Sequence, residues 1–370
     1  MLRYLTSGES HGRGLLAILD GLPAGLKIDR DFIDSELKAR QGGYGRGGRM
    51  KIESDRAEIW SGVRDDLTIG SPLGVVIRNR DFTIDELPPL TAPRPGHADL
   101  AGGRKYGHRD LRNVLERASA RETAARVALG AVAQLLLKEF SIELESWITS
   151  LGGIPVRELP AEKRRENLSA SRLGCPDPEA EAKMIELIDR TREAGDTLGG
   201  VFQVEITGVP PGLGSYSQGD TRLDSRLAGA LMSIPAIKGV EIGTGFAAAS
   251  EPGSRVHDVI ACSEDGICRP TNRAGGIEGG VSNGETIVIR AAMKPIPTLS
   301  RPLPTVDLQT GLPADAARER SDVCALPAAA VVGRGAAALE LARAFLEKFG
   351  GDSLAEIRRN YSGYLEAGKA

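Results

Sequence analysis

Apolar and polar positions change period repeatedly along the chain, and the changes divide it into short strands and a few long helices. Residues 2–6 (LRYLT) predict a short strand, and residues 15–23 (LLAILDGLP) a buried strand ending in a turn. Asp29 or Asp31 can cap a helix running to about Arg40, with Phe32, Ile33 and Leu37 on one face. Residues 57–63 and 72–79 suit strands, with the turn Arg64-Asp65-Asp66 opening the connection between them, whereas residues 87–95 hold too many prolines for either element. From Glu122 to Phe140 the pattern is strongly helical. Ala124, Ala128, Ala131 and Leu135 recur at helical spacing and form a small-residue face that permits close backbone packing. Strands are expected within 141–154, 201–214, 233–246 and 284–293, and helices at 224–232 and from about Ala328. Residues 157–197 are dense in Glu, Lys and Arg and read as a solvated helical region without a site.

Composition narrows the class. The 370 residues exceed one ordinary domain and leave room for two. Charged residues make up 26 %, yet the formal net charge is only −3, so bulk electrostatics favour neither nucleic acid nor an anionic membrane as partner. Cationic clusters on such a chain are local features. Cys175, Cys262, Cys268 and Cys324 show no CxxC spacing and read as reduced thiols; no metal site is expected. The start, MLRYLTSGESHG, lacks an apolar signal segment, and no apolar run approaches the roughly 20 residues that span a bilayer. The expectation is a soluble, cytoplasmic protein.

Chemistry concentrates between Arg94 and Ala133. Ser119-Ala120-Arg121-Glu122 fits a capping box at a helix start, where unpaired N–H groups and the helix dipole favour an anion. Arg94, Arg104, Lys105, Arg109, Arg112, Arg117 and Arg121 crowd that start, which reads as a pocket for a multiply charged anion. Gly8-Glu9-Ser10-His11-Gly12 is compatible with a hydroxyl and an imidazole facing a ligand, and equally with a turn carrying a solvated histidine. Arg40, Arg46 and Arg49 lie in a Gly-rich loop that matches GxGxxG literally. A helix precedes it and a strand follows, the reverse of a dinucleotide fold, so a basic loop that closes over an anion or stays solvated is what remains. A second wall is expected from residues 271–281, from Lys294-Pro295-Ile296-Pro297-Thr298 and from Arg318–Asp322. Taken singly, each of these is an ordinary solvated turn. P-loop, HExxH, GxSxG and EF-hand patterns are absent. Converging arginines and two Gly-framed histidines, His11 and His97, suit a lyase or transferase acting on a phosphorylated carboxylic acid.

Residues 8–12 (GESHG), 116–123 (ERASARET) and 320–324 (RSDVC) resemble the three signatures of the chorismate synthase family, and Arg94-Pro95-Gly96-His97-Ala98-Asp99 and Lys294–Thr298 fit it as well. The motifs stand in the family's order over almost the whole chain, with residues 155–200 matching least. The resemblance implies an α+β fold with helices packed between antiparallel β-sheets, a β-α-β sandwich forming one domain over residues 1–370, assembled as a homotetramer. It implies a carbon–oxygen lyase that converts 5-enolpyruvylshikimate 3-phosphate to chorismate by anti-1,4-elimination of phosphate and a C6 hydrogen, the last common step of the shikimate pathway to aromatic amino acids. Reduced FMN is required without net redox change.

By motif position, His11 protonates the departing phosphate, His97 stabilises charge on the reduced flavin, and Asp322 assists proton removal. Ser10, Arg40, Arg46, Arg94, Arg121 and Arg320 hold substrate, and Arg40 and Arg46 also meet NADPH in members that bind it. FMN contacts fall to Arg117, Ala118, Ser119, Ala236, Gly279, Lys294, Pro295, Ile296, Pro297, Thr298 and Arg320. The chain shows no reductase insertion and so resembles the monofunctional type, with an external flavin reductase as the source of reduced FMN. His108 and His257 lie outside the family's catalytic pattern. An RNA-binding module and an ATP-dependent phosphoryl transferase are the rival readings of the arginine loops; the near-neutral charge and the lack of exposed aromatic stacking motifs argue against the first.

Overall fold

Two antiparallel sheets face each other across a helical layer in the computed structural model, which describes residues 1–47, 53–263, 266–319 and 321–368. Arg3–Ser7 (β1), Gly14–Asp20 (β2), Glu58–Ser61 (β3) and Leu73–Arg78 (β4) form the first sheet, in the order β1-β2-β4-β3. Glu143–Leu151 (β5), Ile154–Pro155 (β6), Gly200–Thr207 (β7), Ile237–Ile242 (β8) and Ile287–Met293 (β9) form the second, in the order β8-β9-β7-β5-β6. The α+β class expected above is the one observed.

Strand alternation explains which face of each sheet meets the helices. Leu15, Ala17 and Leu19 of β2 pair with Ile77, Val75 and Leu73 of β4, and all six are buried. Between them, Leu16 and Ile18 point outward at 52 % and 49 % exposure, beside Leu5 at 75 %. Residues 15–23 therefore hold a half-buried strand, not a buried one: an apolar run cannot say whether its second face also has a partner.

The helices are Arg30–Gln41 (α1), Asp99–Tyr106 (α2), Arg112–Ala118 (α3), Thr123–Lys138 (α4), Ala161–Ala170 (α5), Pro178–Ala194 (α6), Leu223–Met232 (α7), the single turn Gly253–Val256 (α8), Leu326–Phe349 (α9) and Leu354–Ala367 (α10). α4 lies on the first sheet, α9 on the second, and the two pack against each other at the centre. Asp29, of the two candidates, caps α1 by accepting from Phe32 N at 3.0 Å. Glu36 of α1 is buried between Arg334 of α9 (2.6 Å) and Gln134 of α4 (3.2 Å), so one carboxylate ties the three central helices. One large apolar core runs from Leu2 to Ile357, with a small separate cluster of Leu90, Leu111 and Leu115.

Three helical segments were not legible beforehand. No element is expected at residues 99–106 and 112–118, and Gly102 and Gly103 lie on α2, where a Cβ would come within 2.5 Å of Val114 and Leu111. These glycines serve close approach of α2 to α3, not a turn. α10 opens with a capping box of Ser353 and Glu356. In the charged region, α5 buries nothing, as expected, but α6 buries Ala180, Met184 and Ile188.

The α4–α9 crossing is asymmetric. A Cβ on Gly130 would lie 2.5 Å from the Gly335 Cα, whereas a Cβ on Gly335 meets nothing nearer than 3.6 Å. Alanine in a helix gains about 1 kcal/mol over glycine, but overpacking costs about 1–3 kcal/mol. Gly130→Ala is expected to lower the urea midpoint and Gly335→Ala to leave it unchanged or raise it. Equal effects at the two positions would contradict this crossing.

Candidate active site

The ends of α1, α3 and α9, the β1–β2 loop and the segment after β9 converge on one cavity of about 470 Å³. Gly8 opens the β1–β2 loop at φ +108°, where a Cβ would strike Gly14 O at 2.3 Å. Asn79, at the end of β4, donates to the carbonyls of Glu9, Ser10 and Gly12, and Arg117 donates to those of Thr6 and Gly8. Held in this way, Ser10 and His11 line the cavity.

The α3–α4 junction forms the next wall. Ser119 caps a short 3₁₀ turn, accepting from Arg121 N at 3.3 Å, and its hydroxyl lies 3.1 Å from that of Ser10. The expected capping box does not form, because the Glu122 carboxylate pairs with Arg126. Nor is the helix start an open anion site: Arg40 donates there to Ala120 O and Thr123 Oγ1, both at 2.9 Å. Behind it, Arg121 Nη1 meets Asp55 Oδ2 at 2.7 Å, and Arg121 Nε donates to Asn79 Oδ1 at 2.9 Å. Burial first, opposed by Asp55 and reinforced by Arg121, pushes the Arg40 guanidinium down to about 10, so it stays cationic at neutral pH.

Arg94 and His97 share the fully buried Asp99. Arg94 donates to it through its backbone N, Nε and Nη2, and His97 Nδ1 lies 2.5 Å from its Oδ1. Burial works to raise the Asp99 carboxyl, but bonding to His97 and Arg94 outweighs it and holds the group well below the usual carboxylate range. Arg94 Nη1 also donates to Thr298 Oγ1 at 2.8 Å, and Lys294 Nζ to Gly96 O at 3.0 Å, which joins this wall to the chain leaving β9. Ala236, also lining the cavity, carries φ +72° without being glycine, and its carbonyl accepts from Lys294 N.

Arg46 closes the ring, its Nε 3.4 Å from Asp322 Oδ2, while Gly47 N donates to Asp322 Oδ1 at 2.6 Å. The supposedly featureless region 157–197 anchors this loop. Tyr44 N donates to Arg172 O, and Tyr44 Oη to Asp189 of α6 at 2.8 Å. Three buried donors, Arg40 Nη1, Arg46 Nε and Arg121 Nη2, make no hydrogen bond among the described residues, although carboxylates stand 3.4–3.9 Å away. The guanidinium groups to which they belong line the cavity, and their charge suits an incoming anion.

Of the residues singled out in sequence, Ser10, His11, Arg40, Arg46, Arg94, His97, Ala118, Ser119, Arg121, Ala236, Lys294, Ile296, Pro297, Thr298 and Asp322 line this cavity. Arg117 and Pro295 stand beside it, and Gly279 lies in a separate turn between Ile277–Glu278 and Val281–Ser282. Arg320 and Arg49 fall outside the described residues. Arg104, Lys105, Arg109, His108 and His257 are exposed, and Arg112 is turned to Pro88 O and Glu319. Sequence reasoning missed the partners: Glu53, Asp55, Asn79, Asp99 and Glu116. Only Asp99, two residues after His97, and Glu116, inside the longest motif, carried a local signal.

The chorismate synthase family model matches residues 2–346. The chain is 57 % identical to the chorismate synthase of Desulforudis audaxviator (99 % of this chain, 98 % of the relative) and 58 % identical to that of Geobacter sulfurreducens (99 % of each). A crystal structure of chorismate synthase superposes with a TM-score of 0.83 at 46 % identity, over 99 % of this chain and 98 % of the other.

Two outcomes test the charge network. Asp55→Ala leaves Arg40 and Arg121 short of their main counter-charge and is expected to destabilise by about 3–5 kcal/mol, read by urea denaturation. Because the folded-state pKa of Asp99 is depressed, its contribution is present above the unfolded value of about 3.9 and lost as pH falls below it. The thermal midpoint should therefore fall below about pH 4, less steeply in Asp99→Asn. Parallel declines would exclude Asp99 as a source.

Proposed function

The chain belongs to the chorismate synthase family and is a lyase, and from that membership we propose that it eliminates phosphate and the C6 hydrogen of 5-enolpyruvylshikimate 3-phosphate, anti-1,4, to give chorismate. The observation that carries the proposal is the convergence of Arg40, Arg46, Arg94 and Arg121 on one cavity beside two carboxylate-held imidazoles. A substrate with one phosphate and two carboxylates matches that donor set. Arg40, Arg46, Arg94 and Arg121, with Ser10 and Arg320, hold the substrate. His11 gives its proton to the departing phosphate, and Asp322 assists removal of the C6 proton.

Reduced FMN is the proposed cofactor, and the lining fits it. Leu115, Ala118, Pro235, Ala236, Met293 and Ile296 offer an apolar shelf for a ring system, with Lys294, Arg94 and Thr298 at its edge. When bound, reduced FMN supplies electron density that assists phosphate departure and is returned, so no net oxidation results. Ala118, Ser119, Ala236 and Lys294–Thr298 are the proposed contacts, with Arg320. His97 balances the negative charge there. Arg117 acts from behind by fixing the Gly8 loop, and Gly279 joins the list on motif position alone. NADPH enters as the indirect reductant through an external flavin reductase.

The whole of 1–370 is taken as one domain, supported by the large apolar core that both sheets and the central helices share. A homotetramer is proposed from the resemblance, with the exposed apolar face of Leu5, Leu16 and Ile18 suited to a subunit contact, and a cytoplasmic setting from the cysteine spacing. No helix among the described residues is long and apolar enough to cross a membrane.

Under anaerobic conditions with photoreduced FMN, the protein is expected to release phosphate and form chorismate, and neither product should appear without flavin. Flavin-independent turnover would refute the assignment, and ATP-dependent product formation would select a phosphoryl transferase instead. His11→Ala and His97→Ala should each lower kcat by roughly 10²-fold or more. Near-normal kcat in both would strip them of these roles.

A further inference from the structure

Both cavity histidines are gripped at Nδ1 by a buried carboxylate, but the two grips differ. Asp99 divides itself between His97 and three donors of Arg94. Glu116 is turned almost wholly to His11. We propose that Glu116 is the positioning residue of His11, holding the ring by Nδ1 so that Nε2 is the nitrogen presented to the cavity.

Glu116 projects from α3, and its side chain is 1 % exposed. One oxygen accepts from His11 N at 2.7 Å, and the other lies 2.9 Å from His11 Nδ1. The carbonyl of Glu116 accepts from Ser10 N at 3.0 Å. A single residue therefore pins the backbone before His11, its amide and its ring. Burial works to raise the Glu116 carboxyl, but the bonds from His11 outweigh it and leave the group below its ordinary value. An ionised carboxylate only accepts, so Nδ1 must carry the proton. Proton exchange with a ligand then runs through Nε2. Arg112 has its Nη1 3.7 Å from Glu116 and gives its side-chain hydrogen bonds to Pro88 O and Glu319.

Loop anchoring alone does not account for this arrangement. Asn79 already holds the Gly8–Gly12 loop by three hydrogen bonds that do not involve Glu116. Glu116→Gln keeps the shape, removes the charge, and presents an NH₂ to one of the two His11 donors. The catalytic part of the inference rests on the elimination chemistry proposed above for His11, whereas the grip on Nδ1 does not.

The chain has only four histidines, so the ¹⁵N imidazole signals can be assigned with a His11→Gln variant. In the wild-type protein, free of substrate and flavin, His11 Nδ1 should be protonated, and in Glu116→Gln, whose amide offers that proton a weaker neutral acceptor or an NH₂, the Nδ1 signal should shift or be lost. Turnover of Glu116→Gln should fall at least roughly tenfold in kcat, with KM changed less than about threefold, as for an imidazole that loses its orienting carboxylate. Glu116→Asp, which keeps the charge on a shorter arm, should retain the Nδ1 proton and recover part of kcat. This variant carries the test if the Gln variant fails to fold. An unprotonated Nδ1 in the wild type, or an unchanged His11 signal in Glu116→Gln, would overturn the grip. Unchanged kcat in Glu116→Gln, or an Asp variant no better than Gln, would overturn the positioning role. The NMR result stands even if the flavin assay fails, which separates this inference from the reaction assignment.

Discussion

Guanidinium groups packed out of water around a small cavity need counter-charge, and most of the local architecture supplies it. Arg40 and Arg121 share Asp55, Arg94 is seated on Asp99, and Arg46 leans on Asp322. The Arg94 pair is fully bonded, and the other three are not. In each of Arg40, Arg46 and Arg121, one buried donor makes no hydrogen bond among the described residues. Taking such charges from water costs several kcal/mol per ion, only partly returned by the pairing. What results is a cavity whose donors are fixed before any ligand arrives, the condition under which electrostatic stabilisation is most effective.

That arrangement depends on rigid elements ending at one place. α1 carries Arg40 in its last turn, α3 runs into Ser119, and α9 begins just after Asp322. Their relative positions follow from the central packing, where Glu36 ties α1 to α4 and α9, and Gly130 meets Gly335 without side chains between them. A shift of α4 against α9 would displace the Ser119–Arg121 wall relative to Asp322. The charged helix α6, remote in sequence from every motif, holds the Arg46 loop through Tyr44 and Asp189.

Sequence periodicity located most of these elements because a buried face leaves a repeat of 2 or 3.6 residues. It failed at α2 and α3, where Gly102 and Gly103 suggested a loop although their role is close approach to Leu111 and Val114. It also misread the outer face of β2, since an apolar residue looks the same whether it meets a core or solvent. Arginine density marked the right region but not the right arginines. Arg104 and Arg109 sit in the same stretch as Arg121 and are exposed, because exposure depends on which way a helix face or a connecting turn points.

By itself, then, the sequence determined the family, the α+β class, the main helices and strands and most of the residues that line the cavity, because long motifs and residue periods are local properties. Only the tertiary structure decided which carboxylate stands behind each cation and imidazole. Asp55 reaches Arg121 across 66 positions and Glu116 reaches His11 across 105. Such pairings are set by the packing of distant elements against one another, and no local pattern records them.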